Sequence, residues 1–187
     1  MGEDGSGCRL EAAEGLEALN EQRDRFVVSF TGTQLGMTRE QRAFVAEMLA
    51  KLKARHGSRL RAVHGDCVGA DAMFDEICVE QGIMRGIYPS DMDNKRAHCD
   101  RRGAKLLSDP MPPLERNGPI AAAGDLLIAV PKMDQEEARS GTWATVRRAR
   151  SAYANRSSGA IVIVWRSKPP SFDFPSKRQV RLATTPR

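Results

Sequence analysis

The sequence predicts an α/β fold, a Rossmann-like doubly wound parallel sheet of about five strands with helices on both faces. Apolar stretches of strand length alternate along the chain with segments of helical periodicity, which is the pattern of parallel strands joined by helices. Several of these stretches are continuously apolar, the clearest being Ile161-Val162-Ile163-Val164-Trp165. Continuous apolar runs are typical of strands that are buried on both faces.

The individual elements follow from local signals. The first strand is predicted at 26–31, and Thr38-Arg39-Glu40-Gln41 after it fits a capping box. The apolar residues behind this box recur at helical spacing and predict a helix over 39–55. The other predicted elements are strands at 60–64, 83–88, 125–130 and 160–165, a helix marked by Met73 to Cys78 that ends near Gly82, and helices at 113–123 and 141–154.

Composition and charge divide the chain into a polar lead-in at 1–24, a single domain at 25–165 and a basic, extended tail at 166–187. The tail carries six Lys or Arg and one Asp, so it accounts for much of the formal net charge of +5. This basicity makes single-stranded nucleic acid an alternative partner. Only 5% of the residues are aromatic, which argues against an extensive base-stacking surface.

Several classes of protein are disfavoured. No run of about 18 apolar residues is present, so no membrane span is expected, and the N-terminal residues do not form a secretory signal. A cytoplasmic location is therefore expected. The four cysteines form no C-x-x-C pair and are expected to be free thiols. Acidic residues accompany His98 and Cys99 in the long polar connection 89–113, but their spacing favours a solvated loop, and neither a metal nor a cofactor is expected.

Three glycine-containing loops follow the predicted strands at 26–31, 60–64 and 125–130. Glycine lets a backbone approach a ligand closely, and the free N–H groups of a first helical turn attract anions. Loops at the carboxyl ends of parallel strands converge on one crevice, so these loops predict a phosphate or nucleotide site. The alternative is a set of ordinary turns and helix caps. The candidate binding residues in these loops are Gly32, Thr33, Gly65, Asp66, Gly69, Asp71, Ser140, Gly141 and Thr142.

Charged residues near the loops suggest finer roles. Arg116, which is followed by Asn117, is a candidate to reach the crevice and provide a fixed positive charge for phosphate. The alternative is that Arg116 is a solvated surface group. Asp66 and Asp71 are candidates for binding ribose hydroxyls or for acting as a base, although Asp71 also suits a helix cap. His64 ends a strand and fits a buried core histidine. Neither a G-x-G-x-x-G fingerprint nor a Walker lysine is present, which disfavours dehydrogenases and P-loop NTPases.

Three segments in order resemble the SLOG superfamily, which includes the LONELY GUY phosphoribohydrolases and DNA-processing protein A. The segment His64-Gly65-Asp66-Cys67-Val68-Gly69-Ala70-Asp71 resembles the S-G-x-A-x-G-I-D loop of DNA-processing protein A. Glu115-Arg116-Asn117-Gly118-Pro119-Ile120 with Gly124-Asp125 resembles its R-N-R-I-I…S-D segment. Ser140-Gly141-Thr142-Trp143-Ala144-Thr145 resembles its S-G-S-x-x-T-A. The resemblance spans roughly residues 26–165 and implies a homodimer.

The phosphoribohydrolase pattern P-G-G-x-G-T-x-x-E includes a catalytic Glu and an Arg from the preceding helix. Arg116 matches that arginine, but Ala144 and Thr145 occupy the region of the glutamate. Cleavage of an N-glycosidic bond needs acid–base help, so another acid would have to substitute. The candidates for that acid are Asp66, Asp71 and Glu115.

The sequence therefore predicts a SLOG-type protein that binds a nucleotide or a nucleotide-derived ligand at the carboxyl ends of the strands and acts as a sensor. One alternative is a nucleoside 5′-monophosphate phosphoribohydrolase, an N-glycosidase with Arg116, Asp71 and Asp66 as catalytic residues. The other alternative is a single-stranded nucleic-acid binder. Whether the protein is an enzyme stays open at this point.

Overall fold

A central β-sheet organises the chain in the computed structural model, which describes residues 25–156 and 159–175. Seven strands within these ranges form one sheet in the order β4-β3-β2-β1-β5-β6-β7. All neighbouring strands are parallel except β7, which is antiparallel to β6. The α/β doubly wound prediction is therefore confirmed. The strands are β1 (Phe26–Gly32), β2 (Leu60–His64), β3 (Met84–Ile87), β4 (Lys105–Leu106), β5 (Leu126–Val130), β6 (Ala160–Ile163) and β7 (Ser171–Asp173).

Four helices within the described residues connect the parallel strands. The predicted capping box begins α1, because the Gln41 N–H donates to Thr38 Oγ1 at 3.2 Å and the Thr38 N–H donates to Gln41 Oε1 at 2.9 Å. This prediction is confirmed. None of the described helices has the length and apolar character needed to cross a membrane. The helices are α1 (Arg39–His56), α2 (Ala70–Glu80), α3 (Pro113–Ala123) and α4 (Gly141–Ala154).

The helices cover both faces of the sheet. Successive residues of a strand point to opposite sides of the sheet, so β5 and β6 contribute to two separate apolar cores. One core packs against α1 and α2, where the rings of Phe30 and Phe74 stack with centroids 4.3 Å apart. The other core packs against α3 and α4 and contains the fully buried Trp143 and Tyr153. This burial on both sides explains the continuous apolar runs of β5 and β6.

Two strands were not predicted. The connection 89–113 contains β4 and two short 3-10 helices, at Asp93–Lys95 and Cys99–Arg102, in addition to irregular backbone. Within the segment predicted as a basic tail, β7 pairs with β6, and Phe172 lies opposite Val162. Residues 1–24 of the predicted lead-in and 176–187 of the tail lie outside the described residues.

The strand order reverses between β1 and β5. From β1 the chain moves outward through β2, β3 and β4, and it then returns to place β5 and β6 on the other side of β1. In open α/β sheets, ligands bind in the crevice that forms at the carboxyl ends of strands at such a reversal. The fold therefore directs attention to the segments that follow β1, β2 and β5.

Candidate functional site

A cavity of about 530 Å³ lies where the segments after β1, β2 and β5 meet α3 and α4. Its volume is in the range of small-molecule binding sites. Two of the eleven predicted ligand residues, Asp66 and Gly69, do not line it. The structure brings the other nine together around the cavity, and they are Gly32, Thr33, Gly65, Asp71, Arg116, Asn117, Ser140, Gly141 and Thr142.

The end of β1 is held close to α2. A Cβ atom added to Gly32 would lie 2.4 Å from Cβ of Ala70, so a larger residue there would push the strand and the helix apart. The Thr33 N–H donates to the Val130 carbonyl at 3.1 Å, and the Thr33 carbonyl accepts from the Ala70 N–H at 2.9 Å. These contacts fix the backbone at which the cavity begins.

Asp71 folds back from the first turn of α2 onto the loop after β2. Its Oδ2 accepts the backbone N–H groups of Gly65 and Cys67, each at 3.2 Å. Burial raises the pKa of the Asp71 carboxyl and outweighs the opposing charges of His64 and Arg116. Asp71 therefore shapes the glycine loop, and its carboxyl takes up a proton at a higher pH than an ordinary aspartate does.

Arg116 of α3 is buried and lines the cavity. Its Nη1 donates to the Gly65 carbonyl, its Nη2 donates to Cys67 Sγ at 2.7 Å, and its Nε is buried without a hydrogen-bond partner. Among the described residues, Arg116 makes no ion pair with a carboxylate. A buried charge that no carboxylate contacts directly is incompletely neutralised, so this arrangement favours binding of an anion.

The N-terminus of α4 lies in the same cavity. Ser140 is the N-cap, its side chain makes no capping hydrogen bond, and the first turn contains no acidic residue. The first N–H groups of a helix lack intrahelical acceptors and carry partial positive charge. A Cβ added to Gly141 would meet no atom within 4 Å, so protein packing does not require glycine there. Asn117 Nδ2 donates to the Gly141 carbonyl at 3.3 Å and thereby ties α3 to this turn.

Asp66 and Gly69 hold the loops together outside the cavity. Asp66 is fully buried, and its two carboxylate oxygens accept from Arg96 Nε and from the Cys99 N–H, each at 2.8 Å. Gly69 has a φ of +90°, and a Cβ there would lie 2.3 Å from the Gln34 carbonyl oxygen. Asp66 thus anchors the 89–113 connection, and its placement does not support the predicted contact with a ligand sugar.

His64 belongs to a buried ion-pair network behind the cavity. Its Nε2 lies 3.3 Å from Asp75 Oδ1, and Asp75 also pairs with Arg85 Nε at 3.2 Å and with Arg102 Nη2 at 3.3 Å. Burial acts to raise the pKa of Asp75, but the hydrogen bond from His64 and the two arginine charges outweigh it, so the pKa is lowered. Cys99 lies close to His64 and Asp75. The two guanidinium groups oppose binding of a cation, so this grouping is an ion-pair network.

Some cavity residues were not singled out from the sequence. Lys132, Glu137 and Arg139 come from the charged segment after β5 and line the cavity. Lys132 Nζ lies 3.5 Å from Glu137 Oε1, whereas Glu137 Oε2 is buried without a hydrogen-bond partner. These residues follow a central strand and directly precede the Ser-Gly-Thr turn. That position in the sequence could have identified them as candidates for the site.

Comparison with solved structures identifies known proteins that share this fold. DNA processing protein A from Streptococcus pneumoniae has a TM-score of 0.52 and 17% identity, with 72% of this chain and 50% of that chain covered. This chain therefore shares its fold with DNA processing protein A. DNA processing protein A from Helicobacter pylori, which is described as binding single-stranded DNA, gives a TM-score of 0.52 at 17% identity, with 71% and 64% covered.

A third structure, the protein TM1055, has a TM-score of 0.49 and 14% identity, with 72% of this chain and 76% of that chain covered. No protein-family model and no curated protein matches the sequence. This chain spans half to about two thirds of the two DNA processing proteins. The predicted resemblance to DNA-processing protein A is confirmed at the level of the fold.

Thr145 lies with Ala144 in the region that the phosphoribohydrolase pattern gives to glutamate. Thr145 is fully buried, its Oγ1 donates to the Gly141 carbonyl at 3.2 Å, and it lies 3.3 Å from Thr31 Oγ1. The hydroxyl is therefore engaged inside the protein. Carboxyl groups reach the cavity from Asp71 and Glu137 instead.

Proposed function

We propose that the cavity binds a nucleotide or a nucleotide-derived ligand through its phosphate, and that the protein acts as a sensor of that ligand. The observation that carries this proposal is the buried guanidinium of Arg116, which has no carboxylate partner among the described residues and shares a cavity with the N-terminus of α4. A phosphate would neutralise the guanidinium and accept hydrogen bonds from the first helical turn.

The rest of the cavity suits a nucleoside. Leu35 is 75% exposed and Leu114 is 61% exposed, and both line the opening of the cavity, where they offer apolar surface to a base. The fold shared with a single-stranded DNA-binding protein agrees with nucleotide recognition. At 17% identity that likeness concerns the fold, so the proposal depends on the residues of the cavity itself.

The test is calorimetric titration of the full chain with nucleoside 5′-monophosphates. Arg116→Gln is expected to lose about a hundredfold in affinity, because a buried charge contact to the ligand is removed. Arg148→Gln is the matched control, because Arg148 lies on the exposed side of α4 and does not line the cavity. Its affinity should stay within about twofold of the wild type. Absence of binding by the wild type, or equal binding by Arg116→Gln, would contradict the proposal.

A phosphoribohydrolase is the second candidate, and the raised pKa of Asp71 favours it. A carboxyl that stays protonated to higher pH beside a phosphate-binding arginine can act as a general acid toward a leaving base. Chromatography of nucleoside 5′-monophosphates incubated with the protein would reveal free base. Release that is lost in both Asp71→Asn and Arg116→Gln would support this activity, and no release would favour a sensor.

A single-stranded nucleic-acid binder is the third candidate. Arg139 and Lys132 border the cavity and are exposed, so they provide positive charge for a strand that enters it. Homodimerisation is proposed from the SLOG resemblance and can be checked by light scattering. A cytoplasmic location likewise stays a proposal.

A further inference from the structure

We infer that Glu137 selects ligands with free sugar hydroxyls, so that the preferred ligand is a ribonucleoside 5′-phosphate with an unmodified 2′,3′-diol. This inference rests on the proposed nucleotide binding. Its starting point is Glu137, which lines the cavity and whose Oε2 is buried without any donor, while Oε1 lies 3.5 Å from Lys132 Nζ. A buried acceptor without a donor is unfavourable, so a ligand that donates to it gains affinity.

The place of Glu137 along the chain indicates which ligand group donates. Glu137 precedes the N-cap Ser140 by three residues, and the Ser140 N–H donates to the Glu137 carbonyl at 3.3 Å. The side chain therefore starts beside the turn that would hold the phosphate. In a nucleoside 5′-phosphate the sugar is bonded to the phosphate and the base lies farther away. The group beside Glu137 is accordingly the sugar.

Carboxylates suit sugar hydroxyls. An ionised carboxylate only accepts hydrogen bonds, and each hydroxyl of a ribose diol has one proton to donate. An acidic residue performs this role toward the ribose in many dinucleotide-binding folds. Lys132 Nζ approaches Oε1 of Glu137, so Oε2 is the oxygen left to accept from a ligand.

The negative charge of Glu137 disfavours ligands that carry a phosphate at the 3′ position. A phosphate attached at the 3′ position would bring a second negative charge toward the Glu137 carboxylate, and such like-charge contacts are repulsive. Every internal nucleotide of a DNA or RNA strand carries a 3′ phosphodiester, and deoxynucleotides also lack the 2′-hydroxyl. Glu137 therefore favours a mononucleotide over a strand in this cavity.

The experiment measures the affinity of the full chain for ribonucleoside 5′-monophosphates and for their 2′,3′-dideoxy counterparts. The wild type is expected to prefer the ribonucleotide by about tenfold to a hundredfold. Glu137→Ala should reduce this preference to about twofold by weakening ribonucleotide binding alone. Glu136→Ala is the matched control, because Glu136 pairs with Arg147 and Arg150 at the surface and does not line the cavity. It should keep the wild-type preference.

Glu137→Gln provides a second variant of the same shape. It keeps an acceptor oxygen but loses the charge, so it should bind a nucleoside 3′,5′-bisphosphate more tightly than the wild type does. Equal wild-type affinity for ribo- and dideoxynucleotides would overturn the inference and leave the proposed function standing. An equal loss of both ligands in Glu137→Ala with unchanged thermal stability would do the same. Absence of any nucleotide binding by the wild type would overturn the proposed function and this inference with it.

Discussion

Arg116 and Cys67 share a hydrogen bond at the wall of the cavity, with Nη2 of the guanidinium 2.7 Å from the thiol sulfur. Burial raises the pKa of the Cys67 thiol, the charge of Asp71 adds to this effect, and the charge of Arg116 opposes it. The net result favours a neutral thiol. Cys67 therefore orients the guanidinium without neutralising it, and the charge of Arg116 remains available to a ligand.

Replacing the thiol tests this orientation. Cys67→Val removes the acceptor of Arg116 Nη2 and is expected to weaken binding of a nucleoside 5′-monophosphate by about threefold to tenfold. Cys67→Ser keeps an acceptor and should stay within about twofold of the wild type. Titration calorimetry measures both affinities, and thermal unfolding shows whether the variants fold. Wild-type affinity in Cys67→Val would show that the thiol does not position the arginine.

Two glycines provide a contrast between packing and binding. Gly69→Ala is expected to lower the free energy of unfolding by about 2 kcal/mol or more, because its φ is +90° and its new Cβ would meet the Gln34 carbonyl oxygen. Gly141→Val adds a side chain whose Cβ would meet no atom within 4 Å, so its stability should change by about 0.5 kcal/mol or less.

The effect on nucleotide binding should be larger for Gly141→Val than for Gly69→Ala, which is the reverse of the effect on stability. Gly141→Val places bulk at the N-terminus of α4 and is expected to abolish nucleotide binding, which titration calorimetry would reveal. Urea denaturation provides the stabilities of both variants. If Gly141→Val keeps its affinity, the ligand does not approach this helical turn, and the assignment of the turn as a phosphate cradle fails.

The sequence anticipated the fold because the burial pattern is local. Strands such as β5 are apolar throughout, and α1 begins at a capping box, so both could be placed from neighbouring residues alone. β4 has two residues and β7 has three, which is too short for any periodicity to emerge. Their positions depend on pairing with β3 and β6, which only the folded chain supplies.

The grouping of the site residues, like the fold, could be predicted in part from the sequence. Loops that follow parallel strands must converge, so Thr33, Asp71 and Gly141 could be grouped in advance. The direction of an individual side chain could not be predicted from its position. Asp66 follows β2 like its neighbours, but its left-handed φ of 57° and its hydrogen bonds turn it toward Arg96. Glu137 appeared in the sequence as one charge among several in a polar segment, and only the burial of its unpartnered Oε2 atom distinguishes it.

Asp71 should make stability fall as the pH rises. Its folded-state pKa is raised above 3.8, so the folded protein holds this proton more tightly than the unfolded chain does. The stabilisation is fully present below pH 3.8 and is lost as the pH rises through the folded-state pKa. The difference in unfolding free energy between the wild type and Asp71→Asn should therefore decrease with pH, by at most about 1.4 kcal/mol per pH unit.

Asp75 is the matched control for this titration. Its pKa is lowered, because His64 and Arg85 outweigh the effect of burial, so its contribution to stability is present above pH 3.8 and is lost as the pH falls through the folded-state pKa. The difference in unfolding free energy between the wild type and Asp75→Asn should therefore increase with pH. Urea denaturation at a series of pH values measures both differences. Slopes of the same sign for the two variants would contradict the assignment of opposite pKa shifts.

Deletion of residues 176–187 separates the cavity from the basic end of the chain. This segment contains four Lys or Arg and no acid, and a cut at 176 keeps β7, which a cut at 166 would remove. We expect the deletion to weaken binding of a single-stranded oligonucleotide by at least about tenfold and to lower its salt dependence, because phosphate contacts release counter-ions. Binding of a nucleoside 5′-monophosphate should not change, because the residues that line the cavity all lie before residue 143. Fluorescence anisotropy at several salt concentrations measures the first effect and calorimetry the second. Oligonucleotide binding that survives the deletion but is lost in Arg116→Gln would instead place the strand in the cavity and favour the nucleic-acid-binding alternative.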